Sequence, residues 1–150
     1  MFWTISSIKL KKIFVSSDHA GYKLKELIKL HLDKKKIKYL DLGPENYHSV
    51  DYPDYAHKVA KIVNANNKYK GILICGSGIG MSIAANRHKN IRAAQCFNLK
   101  STKLSRLHND ANIITLGARL LTNKTALNCV NVFLNTKFEG GRHAKRIKKI

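Results

Sequence analysis

Five short apolar runs, each followed by a segment of helical period, constrain this chain more than any other feature. The runs are "KKIFVSS" (11–17), "IKYLDLG" (37–43), "GILIC" (71–75), "IRAAQC" (91–96) and "ANIITLG" (111–117). They are strand-sized, and the first is rich in β-branched and aromatic residues. Between them the apolar period changes. Leu24, Leu27, Ile28 and Leu32 share a helical face over 21–34, and Lys34, Lys35 and Lys36 suit the negative end of its dipole. Ala56, Val59, Ala60 and Val63 do the same over 54–67. A third helix starts near Gly80, and "LKSTKLSRLH" makes a fourth. Thr122 is placed to cap a last helix with Ala126, Cys129, Val130 and Phe133 on its buried stripe. Strands that alternate with helices form a parallel sheet covered on both faces. Right-handed crossovers leave few topologies. The expected architecture is therefore α/β and doubly wound, with a five-stranded parallel sheet in the order 2-1-3-4-5.

At 150 residues the chain fits one domain. Its apolar runs fall far short of the roughly 20 residues a membrane-spanning helix needs. Residues 1–10 ("MFWTISSIKL") are too short and mixed for a secretory signal. Cys75, Cys96 and Cys129 lie far apart with no CxxC pair, so neither a zinc site nor a disulfide scaffold is indicated. A reduced, cytoplasmic protein is expected. The net charge of +19 is what a nucleic-acid binder would carry. Yet the basic residues are scattered over "KLKK", "DKKKIK" and "RHAKRIKKI", and no recognition motif accompanies them. Solvated basic faces explain that pattern, and positive potential also helps capture anionic small molecules.

In open α/β sheets ligands bind beyond the carboxyl ends of the strands, where the winding reverses. Here the reversal lies between strands one and three, so "SSDHAG" (16–21) and "CGSGIG" (75–80) meet there. Both open a helix, whose free amides favour anions. The glycine loop lacks GxGxxG spacing, and no Lys-Ser or Lys-Thr follows it, so dinucleotide and nucleotide P-loops are unsupported. What remains is a nest of amides suited to a small anion or an oxyanion. Cys75, at its rim, either packs as a small apolar residue or acts as a thiolate, the reactive form that a helix start favours. Cys96 and Cys129 read as core. Asp18 and His19 are polar groups at the switch point, and "DYP" (51–53) opens a helix with proline at an early position. His108, at the end of the fourth helix, is either a surface or capping residue or a second functional group. Arg142 and Arg146, four apart, share a helix face and read as a phosphate clamp or as a solvated tail.

Six blocks, "SDHAG", "DYPDYA", "ILICGSGIGMSIAANR", "IRAA", "SRLHND" and "EGGRH", follow one another between about Lys12 and Arg146. In that order they resemble the family that ribose-5-phosphate isomerase B shares with galactose-6-phosphate isomerase subunits. The resemblance implies a Rossmann-like three-layer sandwich, with one sugar-phosphate isomerase domain over 12–150 and residues 1–11 as an N-terminal extension. It implies interconversion of ribose 5-phosphate and ribulose 5-phosphate through an enediolate, in the pentose phosphate pathway, without metal or organic cofactor. Galactose or allose 6-phosphate is the alternative substrate. By the same resemblance Cys75 is the base at carbon 2; some relatives use a glutamate elsewhere. Ser77 relays protons, and Gly76, Gly78, Ile79 and Gly80 hold the enediolate. His108 opens the sugar ring, Asp18 holds its hydroxyls, and Asn109 and Tyr52 line the pocket. His19, Arg119, Arg142 and Arg146 fall at phosphate-binding positions. A homodimer is implied, with a tetramer as the alternative, in which the tail arginines complete the partner's site. No membrane, metal or specific nucleic-acid partner is expected.

Overall fold

The apolar runs become one sheet. The computed structural model describes residues 12–150, so the extension expected over 1–11 lies outside the described residues. Its strands are β1 (Ile13–Ser17), β2 (Tyr39–Asp41), β3 (Lys70–Cys75), β4 (Ala93–Gln95) and β5 (Ile113–Gly117), and every neighbouring pair is parallel. The helices are α1 (Tyr22–Lys34), α2 (Tyr52–Asn64), α3 (Ile79–Ala85), α4 (Leu99–Asn109), α5 (Asn123–Asn135) and α6 (Arg142–Ile147).

Because successive strand side chains point to opposite faces, the sheet feeds two cores. Phe14, Leu73 and Ile113 pack with Ala56, Val59 and Val63 of α2 and Met81 and Ala85 of α3. Val15, Ile72, Ile74, Ile114 and Leu116 pack with Leu24, Ile28 and Leu32 of α1 and the Ala126, Cys129, Val130 and Phe133 stripe of α5. This is the three-layer α/β sandwich. Cys96 and Cys129 lie in the second core, and burial pushes both thiols above their ordinary pKa. The Thr122 hydroxyl accepts the Thr125 N–H at 3.1 Å, capping α5 as its sequence suggests.

The strand order is β2-β1-β3-β5-β4, which corrects the expected 2-1-3-4-5: β5 lies between β3 and β4. The reason is burial. All five residues of β5 are buried, whereas β4 has three residues and all are half-exposed. A strand covered on both faces takes an inner position, and a short, partly wet one takes the edge. The reversal between β1 and β3 stays where it was expected. The swap lays the turn after β5 against the end of β3, where the Ala118 N–H donates to the Cys75 carbonyl (2.8 Å) and the Arg119 N–H to that of Gly76 (3.0 Å).

Beyond β2, a buried ion pair holds the chain in place. Lys25, fully buried on α1, donates to both Asp41 oxygens (2.8 and 2.9 Å) and to the Pro44 carbonyl (2.7 Å). Lys29 reaches Asp41 at 2.8 Å, and the Gly43 N–H donates to the same carboxylate at 2.8 Å. Burial pushes the Asp41 carboxyl up, but the bonds from Lys25, Lys29 and Gly43 outweigh it and hold its pKa below the usual value. The loop that leads into α2 thus starts from a fixed point.

Candidate active site

At the carboxyl edge, two loops are stitched to each other through backbone. The Asp18 N–H donates to the Ile74 carbonyl (3.1 Å), and its side-chain Oδ1 accepts the Gly21 N–H (2.9 Å). Asp18 is only 7% exposed, with its backbone tied to the end of β3 and its carboxylate to the start of α1. Cys75 is 5% exposed, and its Sγ accepts the Gly78 N–H at 3.1 Å. That bond needs the left-handed backbone of Gly78 (φ 78°), where a Cβ would also press on the Leu116 carbonyl carbon at 3.0 Å. α3 then begins, and the Tyr52 ring lies so close over Gly80 that a Cβ there would sit 2.7 Å from it. The Ser77 hydroxyl accepts the Ile79 N–H (3.2 Å), while the Ser77 carbonyl accepts a bond from Gln95 Nε2 (2.9 Å).

Two cationic or titratable side chains border the same mouth. Arg119 is exposed, with its guanidinium against Gly76. His19 is exposed, and its Nδ1 accepts the Val50 N–H at 3.2 Å, which in the neutral ring puts the proton on Nε2. Asp18, His19, Tyr52, Cys75 through Gly80 and Arg119 therefore gather in one place.

His108, Asn109, Arg142 and Arg146 do not join them. α4 leaves the carboxyl end of β4 and runs back about 16 Å for its 11 residues. It ends at the amino edge, where Arg92, just before β4, donates to the Asn109 carbonyl (2.9 Å) and the Asp110 carbonyl (3.2 Å). The tail docks on that helix end. The Glu139 N–H donates to the Leu107 carbonyl (3.1 Å), and His143 of α6 stacks on His108 with ring centroids 4.2 Å apart and planes 12° from parallel. His108 Nε2 lies 3.8 Å from a Glu139 carboxylate oxygen. Burial, followed by the His108 imidazole and Arg142, pushes His143 below the ordinary histidine pKa. Arg142 and Arg146 are exposed on α6. A strand of five residues spans roughly 17 Å, so one chain holds the two groups of residues a sheet length apart.

Residues 13–150 match the family model described as Ribose/Galactose Isomerase. The chain belongs to the ribose/galactose isomerase family. It is 41% identical over 141 residues to ribose-5-phosphate isomerase B of Escherichia coli, covering 94% of this chain and 95% of that protein. Among solved structures it is similar to ribose-5-phosphate isomerase B from Mycoplasma genitalium with bound ribulose-5-phosphate, at 44% identity and a TM-score of 0.89, covering 91% of each chain. A ribose 5-phosphate isomerase from Thermotoga maritima is 49% identical with a TM-score of 0.89, covering 93% of this chain and 96% of that one. No helix among the described residues is long and apolar enough to cross a membrane.

In this ribose/galactose isomerase chain, the carboxyl edge offers a thiol and a carboxylate around a glycine turn, suited to moving a proton beside a developing anion. The amino edge offers imidazoles and arginines, suited to acid–base work and to phosphate. Three residues absent from the sequence-based set stand close to these groups: Gln95, Glu139 and His143. Gln95 carries no distinguishing signal, since its role depends on β4 reaching the Ser77 carbonyl. Glu139 and His143 sit within the "EGGRH" block, but only the fold brings them to His108.

Proposed function

We propose that the protein is a cytoplasmic aldose–ketose isomerase that interconverts ribose 5-phosphate and ribulose 5-phosphate, with Cys75 as the base. The observation that carries this reading is the setting of Cys75: a buried thiol at the end of β3, facing a backbone amide and adjoining the strand end to which Asp18 is bonded. The bound ribulose-5-phosphate in the M. genitalium relative supports the same substrate class. The three unpaired cysteines suit a reducing compartment.

The chemistry follows from these positions. The Cys75 thiolate removes the proton from carbon 2 of the open-chain aldose, and the electron pair moves to the carbonyl oxygen on carbon 1. The resulting enediolate lies against the Gly76–Gly80 turn, whose amides stabilise its charge. The Ser77 hydroxyl passes a proton between the two oxygens, and Cys75 returns its proton to carbon 1, giving the ketose. Asp18 holds the sugar hydroxyls beside Tyr52, and His19 and Arg119 receive the phosphate.

Ring opening by His108 requires a second chain in this scheme. Its Asn109, Arg142 and Arg146 would arrive with it, completing the partner's site in a homodimer. Exposed apolar side chains at this edge favour a partner chain there: Ile79, Ile83, Phe97 and Leu120 are 48%, 63%, 60% and 64% exposed. Purified protein assayed with ribose 5-phosphate, galactose 6-phosphate and allose 6-phosphate tests the substrate. The highest kcat/KM is expected with ribose 5-phosphate; preference for either hexose phosphate would overturn the pentose assignment.

A further inference from the structure

Of the 28 lysines and arginines, the proposed chemistry uses Arg119, Arg142 and Arg146, and others gather elsewhere on the amino edge. There a polar cleft of about 280 Å³ lies between the turn after α2 and the segments that enter β4 and β5. Its lining includes Asn64, Asn66, Lys70, Arg92, Arg106 and Asp110. We propose that this cleft binds a small, multiply charged oxyanion of the phosphate or diphosphate class. Lys70 opens β3 and Cys75 closes it, so the cleft and the thiol occupy opposite ends of one strand. None of the six residues has a part in the isomerase chemistry, and the proposal stands independently of that reading.

Charge and hydrogen-bonding capacity point to the same ligand. Lys70, Arg92 and Arg106 share the cleft with a single carboxylate, Asp110, which both guanidiniums already hold, Arg106 at 2.8 Å and Arg92 at 3.4 Å. Lys70 is half-buried and has no hydrogen bond or ion pair of its own among the described residues. Burial, with the charges of Arg106 and Lys12, pushes its pKa below the ordinary lysine value, and a bound anion opposes that penalty. The neighbouring amides add donors. Asn64 Oδ1 accepts the Asn90 N–H (3.0 Å), and Asn66 Oδ1 accepts the Lys68 N–H (2.9 Å). With their oxygens engaged, both carboxamides keep their NH₂ groups for a ligand. An ammonium and two amide NH₂ groups can only donate, which suits an oxyanion and disfavours a cation.

Size and charge narrow the class. Three cations against one carboxylate leave two positive charges uncompensated, which a phosphate dianion or a diphosphate answers and a monoanion does not. The volume takes one such group and leaves a nucleoside outside. The walls are fixed before any anion arrives. Asn112 accepts the Arg92 N–H (2.8 Å) and donates to the Asn90 carbonyl (2.7 Å), so the segment entering β4 is tied to the start of β5. Donors held in this way lose little freedom on binding.

Calorimetry of the full chain tests this, with inorganic diphosphate as titrant at an ionic strength of about 0.15 M. Binding should weaken at least about tenfold in Lys70→Met and about threefold in Asn64→Ala, as a charged and a neutral hydrogen bond are lost. It should be unchanged in Arg119→Ala and Arg142→Ala, which report on the phosphate positions proposed above. Lys70→Met keeps the apolar stem and breaks no bond, so the fold survives; a melting curve checks this, and Asn64→Ala carries the test by itself if it does not. Loss of binding in Arg119→Ala or Arg142→Ala, with Lys70→Met unaffected, would place the anion on the substrate's phosphate positions and overturn the proposal. An equal weakening in Lys124→Ala, an exposed lysine outside the cleft, would reduce the effect to net charge and overturn it too. Absence of stoichiometric binding overturns it as well. Adenosine diphosphate, titrated in the same way, separates the sources of the shared chemistry. Binding weaker than that of diphosphate marks a free anion and tighter binding a nucleotide, and either upholds the site when it depends on Lys70.

Discussion

At the carboxyl edge of the sheet, Asp18 and Cys75 are buried and bonded into the ends of β1 and β3, whereas at the amino edge His108 and Glu139 stand part-exposed on a helix end and a tail. The first group is positioned by strand pairing, so its geometry is set once the sheet forms. The second is positioned by the docking of α6 on α4 through a histidine stack, and it faces away from the thiol by the length of the sheet. A chain can thus hold all the parts of a reaction without holding a complete site. On the proposed reading, proton abstraction is prepared within one chain, and the remaining groups serve a site in another.

The largest effect is expected from removing the thiol. Cys75→Ala should lower kcat by about 10²–10⁴-fold, the range typical for a positioned acid–base group, with the thermal midpoint little changed. Steady-state kinetics alongside a melting curve check this. Near-wild-type turnover would break the distinction drawn for the carboxyl edge, because Cys96 and Cys129 belong to the core.

A somewhat smaller and more selective effect is expected at the other edge. His108→Asn should slow cyclic ribose 5-phosphate by about 10²-fold, while an open-chain analogue or detritiation of ribulose 5-phosphate suffers far less. Equal losses in both assays would remove the separate roles assigned to the two edges.

The smallest effect concerns the anchor of the carboxyl edge. Asp41 titrates below its unfolded value, so the stability it supplies is complete above a pH of about 3.9 and is lost as pH falls through its lowered folded pKa. Asp41→Asn should remove that part of the acid limb. It should also cost on the order of 1–3 kcal/mol at neutral pH, because Lys25 is left buried without its carboxylate. Urea unfolding at several pH values measures both, and an unchanged acid limb would show that Asp41 does not anchor this edge.

Much of the architecture could be read from the chain because each strand and helix carries its own period. The five apolar runs reach within two residues of the observed strand ends. Strand adjacency is a different kind of information. Whether β4 or β5 pairs with β3 is not periodic, and the expected order put β4 there; only the fold shows β5 buried throughout and β4 half-exposed at the edge. The switch-point rule located Asp18, Cys75 and the glycine turn, since it concerns strand ends. It says nothing of helix ends, which in a β-α-β unit return to the amino edge, and His108 belongs to that class. Its meeting with Glu139 and His143 depends on the tail crossing α4, and no spacing in the sequence encodes that.

The most direct test of whether the two edges serve one site across two chains is complementation. Cys75→Ala and His108→Asn chains, each nearly inactive by itself, are mixed in equal amounts, unfolded mildly and allowed to exchange subunits. In a random symmetric dimer half the molecules are mixed, and each has one site with both residues intact, so about a quarter of wild-type activity should return. If exchange is verified by mass and activity stays at the level of the separate variants, Cys75 and His108 do not serve one site across two chains.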